Sequence, residues 1–351
     1  MRASDLSHHV SKWFDGSGPG ADIVISSRIR LARNLAGYEF LPCLTTRRQA
    51  EVMEKLTKAL LSLELGEAVF FIDVDASSAL EQDVLVERHL ISRQHARSKG
   101  PRGAVIAPSE SFTAMINEED HLRIQVFKTG LQLRECWQQI DRIDSCIEEK
   151  VDYAFDPGYG YLTACPTNVG TGIRVSVMVH LPALKMTGQI DKFFNAARDS
   201  DLMVRGLFGE GTEAVGDFFQ VSNQVTLGVS EEQIVDEFVD LIVPKITQYE
   251  AMAREVLLNQ QSDAVDDKIQ RALGVLRSAR LISSQEALFL LSHVRLGINL
   301  GRVDGISIDA VNELFMLTQP AHLQMNSGGA LDADHRDAMR AKMIRSKLCV
   351  N

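Results

Sequence analysis

The chain has 351 residues, 45% of them hydrophobic and 24% charged, with a formal net charge of −10. This is globular composition with room for one large or two modest domains, and its acidity gives no electrostatic support for binding nucleic acid or a membrane surface. Five cysteines (Cys43, Cys136, Cys146, Cys165, Cys349) without a C-x-x-C pair argue against a disulfide framework and a structural zinc site, and MRASDLSHHVSKWF at the start lacks an apolar signal core, so a reduced, cytoplasmic protein with no membrane span is expected.

Residues 5–14 read as a short helix closed by the turn-rich GSGPG at 16–20. Helical apolar spacing follows at 45–63 and a short buried-strand run, AVFFIDV, at 68–74. Strand candidates at 103–107, 111–117 and 122–128 lie close enough for antiparallel pairing, and 131–153 reads as a long helix. A second strand group lies at 173–181 and 218–227, around a glycine-rich loop at 205–211. Ser230 with Gln233 forms a capping box opening a helix to about residue 258, with a kink expected at Pro244. Beyond residue 262 only helical patterns appear, at 263–279, 284–299, 307–318 and 333–347. The expected fold is α+β: an N-terminal extension over 1–21, a catalytic domain over 22–258 and a small all-α domain over 262–351.

The anomaly is local positive charge in an acidic chain. In ISSRIRLAR, period-2 alternation puts Ser26, Arg28 and Arg30 on one face against Ile25, Ile29 and Leu31. His121, Arg123 and Gln125 share a face in HLRIQVF, as do Arg174, Ser176, Met178 and His180 in IRVSVMVHL. A solvated outer face accounts for one such strand. Three of them beside Arg205 suit a polyphosphate, whose oxygens arginine forks match bidentately. Neither a G-x-x-x-x-G-K-[ST] motif nor a Rossmann or protein-kinase glycine loop is present, so arginine side chains must hold the phosphates of any nucleotide.

Two acidic features accompany the arginines: NEEDH at 117–121, directly before Arg123, and Glu210 within GEG. A guanidinium stays protonated below about pH 12. Phosphorylating one requires carboxylates that grip its nitrogens in line with the γ-phosphate and accept a proton. Together SSRIRLARN (26–34), NEEDHLRI (117–124), CPTNVGTGIRVSVMVHLPAL (165–184) and RGLFGEG (205–211) resemble the phosphagen kinase family of arginine and creatine kinases, over roughly residues 22–255. The resemblance implies an antiparallel sheet flanked by helices, like the catalytic domain of glutamine synthetase, and ATP and Mg²⁺ as cofactors.

Carried over residue by residue, the resemblance assigns Arg28, Arg30, Arg123, Arg174 and Arg205 to the nucleotide phosphates. Ser26, Ser27, Ile29, His89, Val175, Ser176, Val177 and Met178 would line the same pocket, with Gly206, Leu207, Phe208, Gly209 and Glu210 as its loop. Glu119 and Glu210 fall at the carboxylates that grip the guanidinium, Glu210 as the preferred base. Glu118 would support magnesium through water. Cys165 matches the family's reactive cysteine, a thiolate that orients the substrate cation. Val175 stands where alanine is common and Phe208 where tyrosine is; neither change removes a catalytic group.

Two departures select a branch. Only 25 residues precede Ser26, without the helical domain that encloses a small substrate in creatine and arginine kinases, and the helical tail has no counterpart in them. Both features, with VRLGINLG (294–301), LTQPAHLQ (317–324) and RDAMRA (336–341), resemble the bacterial protein-arginine kinases of the McsB type. That likeness implies phosphorylation of arginine in protein substrates, a heat-shock repressor among them, and a role in protein quality control. It also implies a zinc-binding activator, a Clp-type protease complex and a homo-oligomer. It makes Arg336, Asp337, Arg340 and Ala341 a second, allosteric site that reads phosphoarginine, with both arginines on one helix face. The alternatives are a kinase of free arginine and a catalytically idle phosphoarginine-binding regulator.

Overall fold

Alternation in ISSRIRLAR becomes β1 (Val24–Arg33) of the computed structural model, which describes Leu6 and residues 11–206, 215–329 and 331–348. Of the expected site, Leu207, Phe208, Gly209 and Glu210 lie outside the described residues. After β1 come α1 (Thr46–Leu61), β2 (Phe70–Asp73), α2 (Ala79–Glu87), α3 (Arg93–Arg97), β3 (Gly103–Ile106), β4 (Phe112–Ile116), β5 (Leu122–Thr129) and α4 (Leu133–Glu148). A small hairpin, β6 (Phe155–Asp156) and β7 (Gly160–Tyr161), precedes β8 (Ile173–His180), α5 (Pro182–Met186), α6 (Ile190–Asp199), β9 (Leu202–Gly206) and β10 (Phe218–Asn223). Eight strands form one antiparallel sheet, in the order β2-β3-β4-β5-β1-β8-β10-β9. The antiparallel α+β sheet expected above is therefore present.

Three local outcomes differ from expectation. Helix α4 stops at Glu148 rather than near 153, because Asp152–Ala154 pair with Asn34–Ala36 instead (Ala36 N to Asp152 O 2.9 Å, Ala154 N to Asn34 O 2.7 Å). The start of the glycine-rich loop is strand β9, paired with β10, so Arg205 stands on the sheet. The 5–14 helix falls partly outside the described residues, and within them Lys12–Phe14 form a 3-10 turn.

The capping box forms as the spacing requires: Ser230 Oγ accepts from Gln233 N (3.2 Å) and Gln233 Oε1 from Ser230 N (2.9 Å). It opens α7 (Glu231–Glu237), which runs through a π turn at Phe238–Ile242 into α8 (Val243–Gln260). Pro244 cannot donate to the carbonyl four residues back, and the widened turn absorbs that loss. Five further helices follow: α9 (Ser262–Ser278), α10 (Ser284–Asn299), α11 (Ile308–Leu317), α12 (Pro320–Ser327) and α13 (Ala333–Leu348). None of the described helices is long and apolar enough to cross a membrane.

The apolar faces of β1, β5 and β8 (Ile29, Leu31, Ile124, Val126, Val175, Val177) join α1, α4 and α7 in one buried cluster, which runs on into α9, α10, α11 and α13. The C-terminal helices are fastened by Arg295, which is fully buried. Its Nε donates to Asn312 Oδ1 (3.1 Å) and its Nη1 to Asp22 O (3.1 Å) and His180 Nδ1 (2.9 Å). His180 thus leaves the arginine face expected for it. With Nδ1 accepting, its Nε2–H donates to Ser292 Oγ (2.8 Å), which donates to Asp217 Oδ2 (2.6 Å).

Candidate active site

The opposite, polar face of the sheet is built by register. Arg30 stands across from Gln125 on β5 and Arg174 on β8, Arg28 across from Ser176, and Arg205 across from Gln220. Arg28, Arg30, Arg123 and Arg205 line one cleft of about 500 Å³ together with His89 and Gln125. Arg174 stands beside it, its Nε and Nη2 on Ser222 Oγ (3.2 and 3.1 Å). The Nε atoms of Arg28 and Arg30 are buried without a hydrogen-bond partner, an arrangement folded proteins seldom leave unanswered.

Electrostatics point the same way. Burial, then the charges of Arg123 and Arg174, pull the Arg28 guanidinium down to about 9. Burial leads again for Arg30, with Arg28, Arg123 and Arg174 adding to it, and its guanidinium is pulled well below the usual range. Arg174 is lowered to about 10 by burial and by Arg205 and Arg123. Like charges are crowded in a desolvated place, and the carboxylate among them, Glu118, is already paired with Arg123 (2.7 Å). The site is complementary to a polyanion.

His89 is not on a helix surface. It follows the end of α2 with φ 59°, its ring 5.7 Å from Trp13, which stacks on Phe127 at 5.1 Å. Burial keeps it neutral, with its pKa lowered to about 3. Its carbonyl accepts from Gln125 Nε2 (3.0 Å), tying it to the floor.

The remaining expected pocket residues divide. Ser176 Oγ donates to Arg28 O (3.2 Å), Gly206 ends β9, and Ser26 and Met178 are buried. Ile29, Val175 and Val177 turn their side chains into the apolar core on the far face, as strand alternation dictates. Ser27 also faces away: its hydroxyl donates to Gly130 O and accepts from Gln132 N (both 2.8 Å) at the start of α4.

The acidic loop is held tightly. Glu118 accepts from Ser92 Oγ (2.6 Å), Arg123 Nη1 (2.7 Å) and Glu119 N (3.0 Å). The half-buried Glu119 makes no side-chain hydrogen bond among the described residues. Its pKa is raised, by desolvation first and by Glu118 and Asp120 against the pull of Arg123. An incoming cation would relieve that cost. Asp120 Oδ1 accepts from Asn34 Nδ2 (2.6 Å) and from Ala164 N (2.7 Å), which fastens the acidic loop to the segment carrying Cys165. Cys165 Sγ lies 3.0 Å from Thr167 Oγ1. Asn34, Ser92 and Asp120 as organisers escaped the sequence reading. Asn34 and Asp120 stood inside the quoted strings, but nothing in one strand's pattern says which loop a carboxylate will reach.

His121 also leaves the arginine face. It is buried, with Nδ1 accepting from Leu35 N and Nε2 donating to Glu39 O (both 3.0 Å). In the tail, Arg340 is not on an exposed face but is a buried peg. Its Nε donates to Thr318 O and its Nη1 to Ile282 O (both 2.9 Å), with Asp337 paired to it at 2.5 Å. Arg336 donates to Leu331 O (2.7 Å) and lies near enough to lower Arg340's pKa, though burial is the first cause; Ala341 is buried.

Residues 51–253 match the family model described as ATP:guanido phosphotransferase, C-terminal catalytic domain, and residues 262–351 that described as Protein-arginine kinase McsB C-terminal domain. The chain is 46% identical to the protein-arginine kinase of Syntrophomonas wolfei over 96% of this chain and 94% of that one. It is 44% identical to that of Desulforamulus reducens over 98% and 97%. Among solved structures, lombricine kinase is similar at a TM-score of 0.59 and 28% identity, over 72% of this chain and 71% of that one. The duplicated taurocyamine kinase from Schistosoma mansoni, at 0.62 and 24% identity over 82% and 41%, shares the fold.

Proposed function

Because the chain belongs to the ATP:guanido phosphotransferase family and, within it, to the protein-arginine kinases, we propose that the arginine cleft holds the phosphates of ATP while the acidic loop receives an arginine side chain of another protein. The overall reaction, ATP-dependent phosphorylation of arginine in proteins, follows from that membership and displaces the free-arginine kinase and the idle regulator. The observation that carries the assignment of residues is the pair of buried, unpartnered Nε atoms of Arg28 and Arg30 among like charges.

In this reading Glu119 and Glu210 grip the guanidinium, and Glu210 takes one of its protons. The freed nitrogen lone pair attacks the γ-phosphorus in line. As that bond forms, the bond to the β–γ bridging oxygen breaks and its electron pair leaves with ADP. Arg28, Arg30, Arg123, Arg174 and Arg205 offset the charge spreading over the phosphoryl and leaving oxygens. Cys165 orients the cation electrostatically, since direct transfer needs no covalent intermediate. Among the described residues no group of three His, Cys, Asp or Glu could hold a metal. Mg²⁺ would neutralise charge on the phosphates, with Glu118 supporting it through water. Ser26 and the backbone of Ile29, Val175, Ser176, Val177 and Met178 complete the pocket.

Arg336, Asp337, Arg340 and Ala341 form the proposed phosphoarginine site, with Arg336 the more accessible arginine. The proposal extends to a heat-shock repressor as substrate, a zinc-binding activator, a Clp-type protease complex, a homo-oligomer and a cytoplasmic location, each carried by family likeness alone.

The test separates binding from chemistry. Glu119→Gln and Glu210→Ala should keep the ATP-induced rise in Tm and lose about 10²–10⁴ in turnover. Arg30→Met should raise the Tm of the free enzyme, about 1–2 °C for each kcal/mol of repulsion relieved in a chain of this length, and abolish the ATP-induced rise. Normal ATP stabilisation of Arg30→Met would sink the phosphate assignment, and normal turnover by either glutamate variant would remove that residue from the mechanism.

A further inference from the structure

The cleft has a floor of strands and a wall of helices, and the wall draws on the C-terminal part of the chain. Val86, Glu87 and His89, at the end of α2, line it together with Gln319 and Pro320, at the start of α12. Glu87 joins the two. Its carboxylate accepts from Ala321 N (2.8 Å) and His322 N (3.1 Å), and His322 Nδ1 lies 2.7 Å from Oε2. Those are N–H groups of the first turn of α12, which the helix itself cannot satisfy. The other ring nitrogen of His322 is 3.2 Å from Arg88 Nη1, and both of those side chains are fully buried. Gln319 and Pro320 are thus locked against residues directly preceding His89. Gln319 Nε2 donates one of its two N–H groups to Phe315 O (2.8 Å), while its acceptor, Oε1, takes no hydrogen bond among the described residues.

We infer that Gln319 accepts a hydrogen bond from the nucleoside end of ATP, so that the C-terminal helices complete the nucleotide site. The inference rests on the reading that the arginines hold the phosphates. Arginine offers donors only, and phosphate oxygens accept them. The nucleoside brings donors of its own, the exocyclic amine of the base and the ribose hydroxyls, which no arginine on the floor can answer. A wall of Val86 and Pro320 carrying one amide acceptor suits a base and sugar: an apolar surface with a few placed polar groups. A volume of about 500 Å³ lies within the range of ligand sites, roughly 300–1,000 Å³.

The experiment sets ATP against inorganic tripolyphosphate, which has the phosphates and no nucleoside. In the full-length enzyme, Gln319→Ala should raise KM for ATP about three- to tenfold, the effect of one hydrogen bond. The inhibition constant of tripolyphosphate should stay at the wild-type value, which a merely structural lesion would not allow. Gln319→Met, of similar bulk, serves if the alanine variant folds poorly. Inosine triphosphate, which lacks the amine, and 2′-deoxy-ATP identify the donor: the analogue weakened on wild type and no further on Gln319→Ala lacks the partner group. An unchanged KM for ATP, a parallel shift in both constants, or wild-type indifference to both analogues and to 3′-deoxy-ATP would overturn the inference alone. Failure of tripolyphosphate to compete with ATP on wild type would overturn the arginine-cleft reading and this inference with it.

Discussion

Arg28 and Arg30 differ from Arg47 and Arg48 in surroundings, not in chemistry. Arg47 lies in solvent and pairs with Glu51 one helical turn on, and Arg48 sits over the ring of Tyr38. Such surface contacts are worth little. Arg28 and Arg30 are desolvated beside other cations, so the free enzyme bears a cost that a bound polyanion would relieve. His121 shows the same logic with the opposite purpose. Its Nδ1 must accept from Leu35 N, so only the neutral ring fits, and burial lowers its pKa to about 4. The folded value is below the unfolded one near 6.5. As pH falls, the unfolded chain therefore takes up the proton first, and stability is lost from pH 6.5 down to about 4, by up to about 1.4 kcal/mol per pH unit for this group. His121→Gln should be less stable at pH 7 yet lose less stability between pH 6.5 and 4. Urea unfolding at pH 7, 6 and 5 reads this, and a slope equal to wild type would refute it. His89 and His95, lowered to about 3 and about 4 chiefly by burial, keep the slope from vanishing.

At the level of elements, the position of β1 depends on a buried charge cluster. Arg33 donates through Nε (2.9 Å) and Nη2 (2.6 Å) to Asp144 on α4, lies 3.5 Å from the centre of the Tyr161 ring, and reaches Thr171 O (2.9 Å). Tyr153 donates to the other Asp144 oxygen (2.9 Å). One residue thereby ties the central strand to α4, the β6–β7 hairpin and the approach to β8. Asp144→Ala should cost about 3–5 kcal/mol, because it strands a buried guanidinium; Asp144→Asn, which keeps an acceptor, should cost less. The check is the urea midpoint at constant m. A loss under about 1 kcal/mol for the alanine variant would mean that Arg33 finds another partner.

Across the whole molecule, the units matched by two family models share one core. Arg295 and Ser292 of α10 reach His180 in the first unit and Ala21 and Asp22 ahead of it, and Phe315 of α11 packs on Phe218 at 4.7 Å. The full chain should therefore unfold in one calorimetric transition. A chain ended after Gln261 should bind a hydrophobic dye and unfold without cooperativity, having exposed apolar surface and left His180 without its partners. Two separable transitions, or cooperative unfolding of the shortened chain, would show independent domains.

How much of this the sequence determined depends on the range of the forces involved. Strand alternation, the Ser230–Gln233 box and the helical periods of the tail are local consequences of backbone geometry and solvent, so the antiparallel α+β fold and its arginine face were legible in single segments. Family strings added the chemistry. What a segment cannot report is which neighbour will meet it. His180 and His121 alternate with the arginines and yet are buried elsewhere, and the face of Arg340 is covered by Thr318 and Ile282. Helix α4 ends where Asn34 offers a better partner, and Glu87 reaches across 234 residues to Ala321. Those placements belong to the tertiary structure, because burial and hydrogen-bond completion are settled between elements and not within them.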